Sequence, residues 1–303
     1  MVFSAASRLL GLAWALEASA SCPVHGSQLL QLKEERREVP LQLDQRYFHL
    51  HIPKTADEVV TSFLRYSKSL SEICRKDLIE GPCRDCWLHH SEDPKYLCQG
   101  EKVIAALRSP RAHIISLFQE CKAQPHRGTW ELGAWLQHWA LKARRGELAP
   151  VRDRTSTVAD HGPYKDCYIP YNFQSSYLKI INATPSFLAI ADLLDLSGCV
   201  FAARLLGHVP AMCSHCTHRG YSDPDNSYKA ELNKSDIEHI QGLTEMDESI
   251  FWKSYKELVE EAQRLEKRFG RRLICPGELS RVLRHENATH FDHRAKQHKE
   301  FDT

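Results

Sequence analysis

The chain has 303 residues, enough for one large domain or two small ones, and its 42% hydrophobic and 26% charged residues give an ordinary globular balance with material for a core. A formal net charge of +1 excludes a global field that would draw in nucleic acid or an anionic membrane, so any anion site has to be built locally. Eleven cysteines, spread from Cys22 to Cys275, point to an oxidising compartment with disulfides, and the odd count leaves at least one thiol unpaired within the chain.

Taken from the start, Arg8, the apolar run Leu9 to Leu16 and Ala18-Ser19-Ala20-Ser21 have the basic, apolar, small order of a secretory signal peptide over residues 1–21, with Glu17 out of place. The run is too short for a stable membrane anchor and no later stretch is apolar enough, so no transmembrane span is expected in the mature chain. Residues 22–44 read as a polar lead-in. Tyr47 to Ile52 alternates apolar residues with histidines and predicts a strand that Pro53 breaks. A helix pattern follows through Val59, Val60, Phe63, Leu64 and Leu70.

Residues 75–100 are rich in cysteine and charge and read as a loop-dominated insert. Val103 to Leu107 is wholly apolar, as in a buried parallel strand, and Pro110 suits the first turn of the helix after it. Trp130, Trp135 and Trp139 mark a third helix and read as core. A further helix starts within Asn172 to Ile181, and residues 207–230 read as a loop. The last clear helix runs from about Glu248 to Phe269, with Phe251, Tyr255, Leu258, Ala262, Leu265 and Phe269 on one face, Thr244 and Asp247 as its capping box and Gly270 as its stop. The tail, residues 277–303, is polar and reads as disordered. Its His285, His290, His293 and His298 are expected to be solvated rather than metal ligands.

Strand, loop, helix, repeated, predicts an α/β domain over residues 45–276 with a central parallel sheet. Ligands in such sheets bind at the carboxyl ends of strands, which directs attention to residues 53–58 and 108–111. In the first, a strand turning sharply into a helix aims backbone N–H groups at one point, Lys54 adds a mobile positive charge and Thr55 a hydroxyl. That is phosphate-loop chemistry without the Gly-rich lysine signature.

Residues 48–56, Phe-His-Leu-His-Ile-Pro-Lys-Thr-Ala, resemble the 5′-phosphosulfate loop of Golgi carbohydrate sulfotransferases of the heparan sulfate 2-O and 6-O type. Arg108-Ser109-Pro110 followed by Ser116 is similar to the second motif of that family, Arg-(Asp/Ser)-Pro with a serine eight residues after the arginine. Tyr171-Asn172-Phe173-Gln174 with Leu178, Leu243 to Glu248 leading into Phe251 and Tyr255, and Val209-Pro210 with Cys213 and Cys216 resemble other family segments more loosely.

The resemblance implies a P-loop-like three-layer fold, a central parallel sheet flanked by helices. It implies 3′-phosphoadenosine-5′-phosphosulfate (PAPS) as co-substrate, no metal requirement and a glycan acceptor. Pro53, Lys54, Thr55, Ala56, Asp57 and Glu58 would then line the phosphosulfate, with Lys54 on the leaving phosphate, while Arg108 and Ser116 would bind the 3′-phosphate. The acceptor base would lie between the two motifs, where His89 and His90 stand, with Glu92 behind them. It further implies residence in the secretory pathway, in the Golgi lumen or secreted. The sequons Asn182-Ala183-Thr184, Asn233-Lys234-Ser235 and Asn287-Ala288-Thr289 point the same way.

Asp57 and Glu58 depart from the family's small and hydroxyl residues, and carboxylates beside an anion repel it. Two readings therefore stand: an active enzyme with an adapted loop, and a protein that keeps the fold and only binds nucleotide or glycan. A zinc module using Cys83-x2-Cys86, Cys213-x2-Cys216 and Cys22-Pro-Val-His25 is a separate class, with spacing far wider than compact zinc sites show. A nucleotide kinase lacks both its glycine-rich signature and a magnesium partner.

Overall fold

Four short parallel strands make the sheet: β1 (Tyr47–Leu50), β2 (Leu88–Ser91), β3 (Lys102–Leu107) and β4 (Phe187–Ile190), in the order β2-β1-β3-β4. The computed structural model describes residues 45–55, 88–91, 97, 99–123, 130–148, 158–159, 163–181, 184–216 and 232–285, all within one unit, Pro40–Thr303. Successive strand residues point to opposite faces. Tyr47, Phe48, His49 and Leu50 are all buried, as are Val103 to Leu107, so both faces of the two central strands are covered. That is the α/β arrangement expected, and it explains why Val103 to Leu107 has no polar alternation.

Six helices are described: α1 (Pro110–Ala123), α2 (Leu132–Arg144), α3 (Phe173–Ile180), α4 (Leu194–Leu206), α5 (Lys234–Phe269) and α6 (Glu278–His285). Helix α5 is the common partner, packing against α1, α2, α3, α4 and β4. Its Phe251, Tyr255, Leu258, Ala262 and Leu265 are buried, the stripe predicted from the sequence. Trp135 and Trp139 of α2 are core residues, as read. Gly270 ends α5 in the left-handed region at φ 63°, where glycine carries no Cβ penalty.

Three expectations are corrected. The insert read as loop over 75–100 contains β2, because Leu88-His89-His90-Ser91 pairs with β1 through backbone bonds that need no apolar run. The last helix begins at Lys234, not near Glu248. Its capping box is formed by Asn233 and Asp236, which exchange bonds of 2.9 and 3.2 Å. Thr244 is instead a break inside the helix (φ −126°, ψ 18°), its hydroxyl donating back to the Ile240 carbonyl at 2.9 Å. Finally, the segment read as a disordered tail contains α6, whose Val282 is buried in the core. Residues 286–303, the predicted helix after residue 56, and the leader and lead-in of residues 1–44 lie outside the described residues.

The break at Thr244 interlocks with the start of α3. Asn172, left-handed at φ 45°, donates its N–H to the Leu243 carbonyl at 2.7 Å and accepts from the Met246 N–H at 2.9 Å through Oδ1. Asp247, one residue on, accepts from the N–H groups of Gln174 (3.2 Å) and Ser175 (2.8 Å). A carboxylate from one helix thus caps another. Burial raises the Asp247 carboxyl to about 6, against the opposing pull of those donors. Segments 171–178 and 243–255, far apart in the sequence, are therefore in direct contact.

Candidate functional site

The strand order sets the location. The chain leaves β1 for β2 on one side and returns to β3 on the other, so the order reverses between β1 and β3. In open parallel sheets the crevice outside the carboxyl ends at such a point is the ligand site. Residues 51–55 leave β1 there and Arg108-Ser109 leave β3 beside them.

The first loop is a tight turn. The Thr55 N–H and hydroxyl both donate to the Ile52 carbonyl, at 3.2 and 2.7 Å. Pro53 occupies the second turn position, and Lys54 the third with φ 65°, the pattern of a type II turn in which glycine is usual. A non-glycine residue in the left-handed region costs free energy and persists only where its surroundings hold it. The next two carbonyls show how. The Pro53 carbonyl accepts from His113 Nε2 at 2.9 Å, and the Lys54 carbonyl from Arg108 Nη1 at 3.3 Å. The Lys54 ammonium reaches Glu120 Oε2 at 3.1 Å, with the two side chains 34% and 49% exposed. Such an exposed pair contributes little to stability.

The second loop is held from two directions. The Gln174 side chain accepts from the Arg108 N–H at 2.8 Å and donates to the Arg108 carbonyl at 2.9 Å, serving both backbone groups where β3 has ended. Asp192, following β4, accepts from the Ser109 N–H at 2.7 Å and from its hydroxyl at 3.1 Å. Pro110 then opens α1 at the position where its missing N–H costs nothing.

His113, Ser116 and Glu120 lie at steps of three and four along α1 and so share one face. Because His113 touches Pro53 and Glu120 touches Lys54, that face lies against the turn, with Ser116, 7% exposed, between its two contacts. His113 is fully buried, and desolvation lowers its imidazole to about 3; the bond to Pro53 opposes this, while the charges of Arg108 and Lys54 add to it. The ring is therefore neutral. Since a carbonyl can only accept, its proton is on Nε2, leaving the Nδ1 lone pair buried without a hydrogen-bond partner.

The structure thus brings together Pro53, Lys54, Thr55, Arg108 and Ser116 of the residues predicted from sequence. Ala56, Asp57, Glu58 and Glu92 lie outside the described residues. His89 and His90 lie on β2, opposite Phe48 and His49 of the neighbouring β1, not in a loop. Glu120, His113, Gln174, Asp192 and Asp247 complete the arrangement; no motif in the sequence assigns the first four a role, and Asp247 is marked there only as part of a capping box.

Cys213 and Cys216 are not a metal pair, because they bond to Cys199 and Cys275 respectively. A third disulfide, Cys121–Cys167, joins the end of α1 to the segment before α3. Among the described residues no group of three or more His, Cys, Asp or Glu side chains could hold a metal ion, and no helix is long and apolar enough to cross a membrane. Two cationic side chains beside a helix start, Lys54 and Arg108, suit an anion, while His113 has its one N–H on the Pro53 carbonyl and serves to hold the turn. No protein-family model, curated protein or solved structure matches the chain.

Proposed function

We propose that this chain has a sulfotransferase fold and transfers a sulfuryl group from PAPS to a hydroxyl of a glycan acceptor, within the secretory pathway. The observation that supports this most is the closure of the Pro53-Lys54-Thr55 turn onto Arg108-Ser109-Pro110 at the point where the strand order reverses, sealed by the Arg108 bond to the Lys54 carbonyl. Three disulfides among the described residues agree with an oxidising lumen.

In this reading PAPS supplies the sulfuryl group and an adenosine 3′,5′-bisphosphate leaving group. Lys54 places its ammonium where negative charge grows on the departing phosphate, which lowers the barrier more than it strengthens ground-state binding. Arg108 and Ser116 take the 3′-phosphate, and the neutral His113 holds the turn without adding a charge that would compete for the anion. The acceptor proton goes to His89 or His90, with Glu92 as the third candidate. Before Lys54 can act it must leave Glu120, and a polyanion replaces so exposed a partner readily.

Calorimetric titration with adenosine 3′,5′-bisphosphate tests the reading. Binding is expected, and Arg108→Ala combined with Ser116→Ala should abolish it; binding unchanged in that double variant places the nucleotide elsewhere. The Lys54–Glu120 ion pair, together with Asp57 and Glu58 in the same loop, favours a second reading, a protein that binds nucleotide without turnover. Sulfate transfer to a mixed glycan panel by nucleotide-binding protein separates the two.

A further inference from the structure

Asn233 performs two jobs that its side chain can divide between its two heteroatoms. Its Oδ1 accepts from the Asp236 N–H at 2.9 Å as the N-cap of α5, while the Asp236 carboxylate accepts from the Asn233 N–H at 3.2 Å. Its Nδ2 takes no part in the capping box and makes no hydrogen bond among the described residues. Asn233, Lys234 and Ser235 are all exposed, Lys234 with 91% of its side chain, and they form an Asn-x-Ser triplet with no proline at the middle position. The Asn233 backbone is extended (φ −81°, ψ 172°), so the residue projects from the chain before the helix begins.

We infer that Asn233 carries an N-linked glycan on Nδ2. The modification joins Nδ2 to the anomeric carbon of a lipid-linked oligosaccharide. The bond from that carbon to the pyrophosphate oxygen breaks, lipid pyrophosphate leaves with the electron pair, and the amide nitrogen gives up one proton. The primary amide becomes a secondary amide whose carbonyl oxygen is unchanged, so the cap on Asp236 survives glycosylation and the sugar extends into solvent. The buried side of the same turn is already filled. Asp236 is 7% exposed and packs so closely on α2 that a Cβ at Gly133 would stand 3.2 Å from its Oδ1. The glycan therefore leaves on the one side the fold keeps open. The asparagines of the other two triplets, Asn182 and Asn287, lie outside the described residues, so Asn233 is the acceptor for which the geometry speaks.

The test is expression of the full chain through the secretory pathway of a eukaryotic host, followed by enzymatic deglycosylation and peptide mass spectrometry. The peptide containing residue 233 is expected to be glycosylated and to be recovered as aspartate after enzymatic release. Ser235→Ala, which spares the Asn233 side chain, should abolish occupancy at that position and leave any glycan at the other triplets. Recovery of an unmodified Asn233 peptide from protein whose Cys216–Cys275 bond has formed overturns the inference, and so does a chain that never enters the lumen. Nucleotide binding plays no part in the readout, so its failure leaves the proposed sulfuryl transfer to be judged separately.

Discussion

Replacement of His113 by glutamine isolates the cost of keeping an imidazole uncharged beneath the Lys54 turn. Glutamine keeps an N–H donor for the Pro53 carbonyl but cannot be protonated. In the native protein His113 is depressed to about 3, against 6.5 when unfolded. Its contribution to stability is therefore fully present above the unfolded value and is lost as pH falls from there toward 3. At pH 4 the unfolded imidazole is protonated and the native one is not, a difference of about 3 kcal/mol. Asp247 acts in the opposite sense. Its native value of about 6 lies above the unfolded 3.8, so its contribution is present at low pH and lost as pH rises through 6. It is common to both proteins and cancels in their difference. Urea unfolding from pH 8 to pH 4 should show the wild type losing about 3 kcal/mol more than His113→Gln, with most of the divergence below pH 6.5. Parallel pH profiles would show that His113 is not held neutral and buried against the turn.

Lys54→Ala should lower sulfuryl transfer by on the order of a hundredfold or more while leaving the thermal unfolding midpoint close to that of the wild type, because the charge acts in the transition state and its ground-state partner is an exposed carboxylate. Glu120→Gln should tighten adenosine 3′,5′-bisphosphate binding by up to roughly fivefold, the equivalent of about 1 kcal/mol for an exposed pair, as measured by calorimetry at low salt. Gln174→Ala should weaken nucleotide binding in the wild type and have no further effect in an Arg108→Ala background. Equal losses in both backgrounds would show that Gln174 does not act through Arg108.

The elements legible in the sequence were those with one strong local signal. The apolar run of β3, the tryptophan stripe of α2 and the stripe ending at Gly270 each announce themselves within a few residues. Helix α4 does not, because Leu194, Leu196, Cys199, Val200, Phe201, Ala202, Ala203 and Leu205 are buried on nearly every side and leave no amphipathic contrast to read. Strand β4 is only four residues, and β2 is a strand by virtue of its partner rather than its composition. Thr244 and Asp247 have the residue types of a helix start, and the structure uses that same local weakness as a break, while the helix itself starts at Asn233 and Asp236.

At the site, Lys54, Arg108 and Ser116 could be picked out by motif. What holds them could not be assigned from sequence, since His113 to Pro53, Gln174 to Arg108 and Asp192 to Ser109 are contacts between residues 60, 66 and 83 apart. Such pairings follow from topology, which no local pattern records.

The interlock at Thr244 makes α5 unequal in its tolerance of length changes. One residue added before Asn233 leaves the cap and the register of α5 against its partners unchanged. One residue added between Thr244 and Asp247 turns everything beyond it by about 100° relative to everything before it. Asp247 would then swing away from the N–H groups of Gln174 and Ser175, or the second half of the helix would carry Phe251 and Tyr255 out of the core to keep it in place. The three residues after the break are thus a fixed gauge between the helix that fills the core and the helix that grips Arg108, and chains sharing this architecture should vary in length before Asn233 and not there.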